Sequence, residues 1–357
     1  MNSKAFLLPA ALMIAGNSVA NSKGKKTDKR PNILVILADD LGYSDLGCYG
    51  SEIHTPNLDK LAQQGVRFNH FYNASRSCPT RVSLLTGLYQ HQAGIGRMTF
   101  DDNLPGYRGT LSRNAVTIAE VLKESGYTTS MIGKWHVAET PLRKDQREWL
   151  AHHVYHDTYS DLCHYPVNRG FDSHYGTIYG VVDYFDPFSL VEGEVPVKEV
   201  PEGYYITQAL SDRAAEEVTE YAKDDKPFFM YLAYTAPHWP LHALPEDIEK
   251  YKDTYKVGWE AIRNARYERQ KQLGIFPGMD DFLSERQFKD RWEDNAHAEW
   301  DARAMAVHAA MIDRMDQGIG QVIDALEKTG QLDNTLILFL SDNGCSNENC
   351  QNYSPGE

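Results

Sequence analysis

The sequence predicts an α/β fold in which helices flank a mostly parallel central sheet. Two unbroken apolar runs of strand length, Asn32–Ala38 and Thr335–Leu340, are typical of strands buried on both faces. Helical patterns alternate with further strand-length runs between them, which is the order of a parallel sheet with helical crossovers. A length of 357 residues allows two domains or one large α/β domain.

The predicted elements follow in chain order. Thr55 and Pro56 begin a helix that Gly65 ends, because proline fits the first helical turn and glycine stops a helix. Apolar periodicity and glycine positions then predict a strand at Val66–Tyr72, a helix at Thr117–Ser125, a strand at Tyr127–Ile132, a helix at Thr207–Ala222, a strand at Pro227–Tyr234 and a long helix at Trp300–Thr329.

Two long, charged and aromatic-rich stretches interrupt this alternation, Thr140–Asn168 and His242–Glu299. Connections of that length are uncommon in compact domains unless they are functional. We therefore expect both to be insertions that shape a substrate cleft.

The N-terminus has the pattern of an exported protein. Residues 1–20 contain Lys4, an apolar run and Ser18-Val19-Ala20 as a cleavage site, which together predict a signal peptide. The run Ala5–Ala15 is too short for stable membrane insertion. Residues 21–30 are polar and basic, and we expect a disordered tether there. This predicts a periplasmic (bacterial) or secreted protein.

The charge and cysteine content exclude some functions. The formal net charge is −14, and removal of residues 1–20 makes it −15 because Lys4 is lost. An acidic chain is poorly suited to nucleic acid, and any polyanionic ligand would need a local basic pocket. Five cysteines, an odd number, do not form a disulfide framework. Cys345 and Cys350 could pair or remain separate thiols.

Acidic and amide side chains follow the first and last predicted strands. Asp39 and Asp40 come directly after one, and Asp342 and Asn343 after the other. Ligands of open α/β sheets bind beyond the carboxyl ends of strands, and adjacent carboxylates repel unless a cation joins them. Oxygen ligands of this kind favour a hard cation such as calcium. Either pair alone could be a helix N-cap or a turn.

Three basic or titratable residues follow the strands predicted at Tyr127–Ile132 and Pro227–Tyr234. Lys134 could bind an anionic oxygen as a point charge, and His136 could accept a proton. His238 could bind or protonate a leaving-group oxygen. A single histidine after a strand is more often structural, but both lie at the same predicted edge of the sheet as the acids.

The most informative stretch is 77–87, SCPTRVSLLTG. Its Ser77, Pro79 and Arg81 spacing, followed by Leu-Thr-Gly, resembles the motif of the sulfatases, in which the first residue is oxidised to formylglycine. That residue here is Ser77, and Cys78 is the variable position after it. Pro79 suits a first helical turn, so the nucleophile would lie at a helix N-terminus that favours anions, beside the fixed positive fork of Arg81.

An aldehyde suits this chemistry, because an ordinary serine that attacked sulfur would become a stable sulfate ester. A hydrated aldehyde carries two hydroxyls: one attacks sulfur, and the other loses its proton and expels sulfate.

The resemblance to sulfatases of the alkaline phosphatase superfamily extends from about Pro31 to Gly344. It implies an alkaline phosphatase-like sandwich with a mostly parallel central sheet. It also implies one calcium ion, with Asp39, Asp40, Asp342 and Asn343 as ligands joined by the modified Ser77. Arg81 resembles the arginine that steadies formylglycine, while Lys134, His136 and His238 resemble the sulfate-site lysine and the two catalytic histidines.

The resemblance implies an exported enzyme that hydrolyses sulfate esters, on a sulfated sugar or glycan. A serine-type motif implies a radical serine-type sulfatase-maturing enzyme as a partner. The family's second active-site lysine and small C-terminal subdomain would lie beyond Glu357, so we expect residues 31–357 to be a C-terminally truncated catalytic domain. A phosphodiester or phosphonate ester hydrolase, and a non-catalytic binder of sulfated ligands, remain alternatives.

Overall fold

The computed structural model describes residues 30–139, 158–278, 283–285 and 291–346. The predicted signal peptide, all of the tether except Arg30, and Cys350 lie outside the described residues. So do residues 140–157 of the first predicted insertion. Element labels below count the described elements only.

Seven described strands form one sheet in the order β5-β4-β3-β2-β6-β1-β7. The strands are β1 (Asn32–Ala38), β2 (Thr128–Gly133), β3 (Ser173–Thr177), β4 (Leu190–Glu192), β5 (Val195–Pro196), β6 (Phe228–Ala233) and β7 (Thr335–Ser341). The strand pairs β3–β2, β2–β6, β6–β1 and β1–β7 are parallel. β4 and β5 add an antiparallel edge beside β3. The predicted mostly parallel sheet is confirmed.

Seven α-helices flank this sheet in the described part of the chain. They are α1 (Pro56–Gln64), α2 (Ser77–Thr86), α3 (Ile118–Glu124), α4 (Ile206–Tyr221), α5 (Pro245–Glu249), α6 (Trp259–Gln272) and α7 (Ala298–Lys328). Short 3₁₀ turns lie at Gly47–Tyr49, Leu162–His164, Pro166–Asn168, Thr254–Val257, Trp292–Asp294 and Leu332–Asn334. The four predicted helices are therefore present within one to two residues of their predicted ends.

The core has one layer on each face of the sheet. Leu34 and Ile36 of β1 face a cluster built with α4 and α7, while Val35 and Leu37 face a second cluster built with α2 and α3. Burial on both faces explains why β1 is apolar at every position from 33 to 38 rather than at alternate ones.

Two sequence predictions are corrected. Residues 66–72 form no strand, and Val66, Phe68, Phe71 and Tyr72 are 57–85% exposed, because the segment has neither a pairing strand nor a buried face among the described residues. β7 is a strand as predicted, but it is not fully buried. Leu336 and Leu338 are 49% and 44% exposed, since β7 is an edge strand of the described sheet.

The described stretch of the predicted insertion at 242–299 is built mainly of helices and turns. It contains α5 and α6 together with the turns at Thr254–Val257 and Trp292–Asp294. Hydrophobic residues of this stretch, including Tyr251 and Tyr255, join the core cluster on the α7 side of the sheet. The stretch is therefore packed on the domain rather than extended as a loop. No helix in the described part of the chain is long and apolar enough to cross a membrane.

Candidate active site

The predicted site residues meet at one edge of the sheet. Four parallel strands end there at the same level, because Ala38 is opposite Ser341, and Ala233 is opposite both Leu37 and Gly133. The next residues along each strand are the predicted ones. Asp39 and Asp40 follow β1, Lys134 and His136 follow β2, His238 follows β6, and Asp342 and Asn343 follow β7.

A glycine fixes the turn that leads β2 into the site. Gly133 has φ of 108°, and a Cβ there would lie 1.8 Å from the carbonyl oxygen of Ala233. Any larger residue would push the neighbouring strand away. The close approach lets Lys134 N donate to the same carbonyl at 2.8 Å and brings the Lys134 side chain under the site.

The acidic residues form one compact cluster. Asp39 and Asp342 are fully buried, and Asp40 is 8% exposed. Asp40 N donates to Asp342 Oδ1 at 3.2 Å, and Asn343 Nδ2 donates to Asp40 Oδ1. These contacts join the end of β1 to the end of β7, which are more than 300 positions apart in sequence.

Arg81 is the cation that organises this cluster. Its Nε lies 3.0 Å from both Ser77 Oγ and Asp342 Oδ2, and its Nη1 donates to Lys134 O at 2.9 Å. Its Nη2 lies 2.9 Å from Asp342 Oδ2 and 3.4 Å from Asp39 Oδ1. The guanidinium is fully buried, so its charge is balanced by carboxylates rather than by water.

The pKa values of the two fully buried carboxyl groups, Asp39 and Asp342, are shifted in opposite directions. Burial raises the pKa of Asp39, but Lys134, His238 and Arg81 outweigh it and lower the pKa below its usual value. Lys134 Nζ is in direct contact with Asp39 Oδ2. Burial and the nearby Asp39 charge instead raise the pKa of Asp342, in spite of Arg81. The cluster therefore carries more negative charge than its cations easily compensate.

Ser77 is the first residue of α2, as its motif predicts. It is 7% exposed, and its Oγ lies 3.4 Å from His136 Nδ1. Cys78 is fully buried in the core beside Met98, and burial raises the pKa of its thiol to about 12. A protonated, buried thiol is a poor nucleophile, whereas Ser77 Oγ lies beside the side chains of Arg81 and His136.

His136 is held in a strained and tightly packed position. Its φ is 52°, unusual for a residue other than glycine, and Gly180 lies directly against its ring. Burial, Lys134 and Arg81 hold the pKa of His136 well below its usual value. The imidazole is therefore neutral at neutral pH and can accept a proton.

His238 lies on the open side of the cluster. Its Nε2 is 3.6 Å from Asp40 Oδ2, and its side chain is 14% exposed. Tyr184 OH donates to His238 O at 2.8 Å and to Thr235 O at 2.7 Å, which holds the segment after β6 in place. A group bound at the cluster would therefore meet His238 on the solvent side.

The donor atoms fit a hard cation. Asp39 Oδ1 is buried and accepts no hydrogen bond in the described part of the molecule. Ligand atoms of Asp39, Asp40 and His238 lie within 4.8 Å of one another. Rotation of the Asn343 amide by half a turn would present its oxygen in place of Nδ2. Several carboxylate oxygens around one small space are the donor set that calcium prefers.

A cavity of about 580 Å³ opens from this site. Asp40 lies in its wall, with Trp239 from the segment after β6 and residues of α6 and α7. The sequence pattern predicted that the stretch 242–299 borders a cleft, and α6 of that stretch does line the cavity. It did not single out Trp259, Arg263 or Arg266, which carry no motif. The alternation of aromatic and basic residues along α6 is the one signal that could have found them.

The mostly parallel sheet, with acids, cations and histidines gathered at the carboxyl ends of its strands, defines an alkaline phosphatase-like α/β protein. The chain belongs to the sulfatase family, whose model matches residues 31–357.

Individual relatives agree with this assignment. The chain is 35% identical to an uncharacterized sulfatase of Schizosaccharomyces pombe, over 88% of this chain and 58% of that protein. It is 34% identical to an arylsulfatase of Klebsiella aerogenes, over 97% of this chain and 72% of that protein. The crystal structure of Ps i-CgsB in complex with k-i-k-neocarrahexaose has 32% identity and a TM-score of 0.61, over 89% of this chain and 59% of that one. This chain thus spans a little over half the length of two of these three relatives.

Proposed function

We propose that this chain hydrolyses sulfate esters with a formylglycine made from Ser77 and a bound calcium ion. The position of Ser77 supports this most directly. It begins α2 with its Oγ 3.0 Å from Arg81 Nε and 3.4 Å from His136 Nδ1, beside the buried acidic cluster. Membership of the sulfatase family gives the reaction class.

Each side chain of this site has a proposed role that follows from its position. A hydrated formylglycine supplies two hydroxyls on one carbon. One attacks sulfur and displaces the alcohol, and the other then loses its proton, so that the aldehyde re-forms and sulfate leaves with the oxygen that attacked it. Arg81 orients the side chain at position 77 and keeps a positive charge beside it. His136, neutral and within reach of that position, accepts the proton there.

Two further residues serve the sulfate and the leaving group. The Lys134 ammonium is buried at the site against Asp39, and a cation held by Asp39 would leave the Lys134 charge available for sulfate oxygens. His238 lies on the partly exposed side, next to Trp239 in the cavity wall, where it can protonate the leaving-group oxygen. Asp39, Asp40, Asp342 and Asn343 would hold the calcium ion, joined by the side chain at position 77.

The substrate class we propose is a sulfated sugar or glycan. Ps i-CgsB, which matches 89% of this chain, was solved in complex with k-i-k-neocarrahexaose. A cavity of about 580 Å³ is large enough for more than a single small anion. We further propose that the protein is exported to the periplasm or secreted, and that a radical serine-type enzyme matures Ser77.

The test begins with the mass of the tryptic peptide Ser77–Arg81, from full-length protein made in an anaerobic host with a serine-type maturing enzyme. We expect a peptide lighter by two hydrogens that reacts with an aldehyde reagent, and sulfate release from 4-nitrophenyl sulfate. An unmodified serine would contradict the proposed nucleophile and favour a non-catalytic binder. Faster hydrolysis of a phosphodiester or phosphonate ester than of the sulfate would favour that alternative.

A further inference from the structure

The wall of the cavity that opens from the active site contains two arginines that differ in how far carboxylates of the protein neutralise them. Two arginines of α6, Arg263 and Arg266, line it one helical turn apart, and Asp40 lies at its active-site end. An acidic protein needs a local basic site to hold a polyanion, so the state of these two cations decides what the cavity can bind.

Arg266 is neutralised by carboxylates of the protein. Its Nη1 lies 2.5 Å from Asp45 Oδ1, and its Nε and Nη2 each lie 2.7 Å from an oxygen of Glu52. Tyr255 OH also donates to Glu52 at 2.7 Å. Because two carboxylates already surround this guanidinium, it has little attraction left for a ligand.

Arg263 differs from Arg266 in its partners. Its Nη2 donates to the backbone oxygen of Ser284, and it lies 3.3 Å from Ser284 Oγ. Within the described ranges, no carboxylate lies within ion-pair distance of Arg263. It is therefore a partly buried cation in the cavity wall whose charge the described part of the protein does not balance.

The rest of the wall suits a sugar. Trp259 and Tyr267 of α6 and Trp239 beside His238 present aromatic surface to the same cavity. Aromatic faces pack against the apolar faces of pyranose rings, while a guanidinium fork matches the oxygens of a sulfate or carboxylate. Aromatic surface beside His238 and on α6, together with a cation on α6, matches an anionic saccharide.

We propose that Arg263 forms a binding site for a second anionic group, a sulfate or carboxylate, on the saccharide whose first sulfate ester occupies the active site. The proposal rests on the proposed sulfatase function, because it takes the cleaved sulfate to lie at Ser77. It makes the substrate a polyanionic glycan, and Arg263 a residue that selects it without touching the reacting atoms.

The test measures binding rather than turnover, with full-length protein whose Ser77 is left unmodified. Isothermal titration compares a monosulfated disaccharide with the same disaccharide carrying a second sulfate, and with one carrying a carboxylate instead. We expect the wild type to bind one or both dianionic ligands about tenfold or more tightly than the monosulfated one. The ligand that gains identifies the anionic group.

The variant Arg263→Gln keeps a donor for Ser284 and removes the charge. It should lose that preference while binding the monosulfated ligand as the wild type does. The matched control is Arg269→Gln, since Arg269 is an exposed residue of the same helix and does not line the cavity. Arg269→Gln should keep the preference.

Two results would overturn the proposal: a wild type with no preference for dianionic ligands, or an Arg263→Gln variant that weakens all three ligands equally. The proposed function is tested separately. Hydrolysis of 4-nitrophenyl sulfate by the matured protein should not depend on Arg263. A matured protein that prefers dianionic ligands but does not hydrolyse this ester would contradict the proposed reaction and not the proposed binding site.

Discussion

Arg81 and Asp342 form a fully buried ion pair, with Nη2 2.9 Å and Nε 3.0 Å from the same carboxylate oxygen. The pair joins the second turn of α2 to the residue that follows β7. The same Nε lies 3.0 Å from Ser77 Oγ. One side chain therefore both links α2 to the end of β7 and contacts Ser77, the proposed nucleophile. Stability and activity should therefore change together when it is replaced.

Replacement of Arg81 by methionine should leave Asp342 and Asp39 as uncompensated buried carboxylates. We expect a loss of about 3–5 kcal/mol in the free energy of unfolding, measured by urea denaturation, together with loss of turnover. Arg97→Met removes an exposed pair with Asp102 and should cost less than about 1 kcal/mol. Equal effects of the two substitutions would show that the buried pair is not stabilising.

Two neighbouring residues distinguish which atom is the nucleophile. Ser77→Ala should reduce turnover of the matured protein by roughly 10⁴-fold or more and leave the fold intact, as checked by circular dichroism. Cys78→Ala should keep turnover and lose about 1–2 kcal/mol of stability, because it opens a small space beside Met98 in the core. Activity in Ser77→Ala, or its absence in a folded Cys78→Ala, would reverse the assignment.

Calcium should stabilise the protein through the acidic cluster. We expect the melting temperature to fall in chelator and to recover with calcium, since a ligand at one hundred times its Kd adds about 2.7 kcal/mol. Asp342→Ala should lower stability and remove the response to calcium, because Asp342 lies at the centre of the cluster. Asp101→Ala, at a distant surface ion pair, should keep it. Identical melting curves of the wild type with and without chelator would contradict the site.

Acid stability should depend on Arg266. Burial raises the pKa of Asp45, but His308 and Arg266 outweigh it and lower the pKa below its ordinary value of 3.8. Burial also raises the pKa of Glu52, but Arg266 outweighs it and lowers the pKa below its ordinary value of 4.5. A lowered pKa gives stability that is present above the ordinary values and is lost as pH falls through the lowered ones. Arg266→Met should therefore lose stability at a higher pH than the wild type.

Melting temperature measured from pH 7 to pH 3 checks this prediction. The control is Arg269→Met on the same helix, whose side chain is exposed and should leave the profile unchanged. Parallel profiles for Arg266→Met and the wild type would mean that the guanidinium does not set the two pKa values.

The parallel strands and the residues at their ends could be predicted because both follow local rules. The apolar run Asn32–Ala38 indicated a strand buried on both faces, and a parallel sheet brings all its carboxyl ends to one edge. The antiparallel edge was missed because β4 and β5 have only three and two residues, too few for a pattern. Residues 66–72 carried a strand pattern without a partner, and a sequence does not reveal whether a partner exists.

The cavity wall could not be predicted residue by residue. Arg263 and Arg266 are both arginines of one helix, and their difference arises from Glu52 and Asp45, which are more than 200 positions away. Likewise, the low pKa of His136 depends on burial and on Lys134 and Arg81, which only the folded chain places around it. Charge balance is a property of the tertiary structure, whereas the motif at Ser77 is local.

Gly180 offers a way to move the His136 ring without changing any reactive group. A Cβ at position 180 would lie 2.2 Å from Cε1, 2.3 Å from Nε2 and 2.6 Å from Nδ1 of that ring. Gly180→Ala should therefore displace the imidazole from Ser77. We expect kcat to fall by on the order of 10²-fold, with a stability loss of about 1–3 kcal/mol.

A stability-matched variant separates displacement from general destabilisation. Gly87 ends α2 with φ of 68°, and a Cβ at that position would meet no neighbouring atom within 4 Å. Gly87→Ala should therefore cost about 1–2 kcal/mol through backbone strain alone and keep kcat. Steady-state kinetics on 4-nitrophenyl sulfate, with melting temperatures of both variants, give the comparison. If Gly180→Ala kept wild-type kcat, the contact between His136 and Ser77 would not be needed for turnover, and another residue would have to accept the proton.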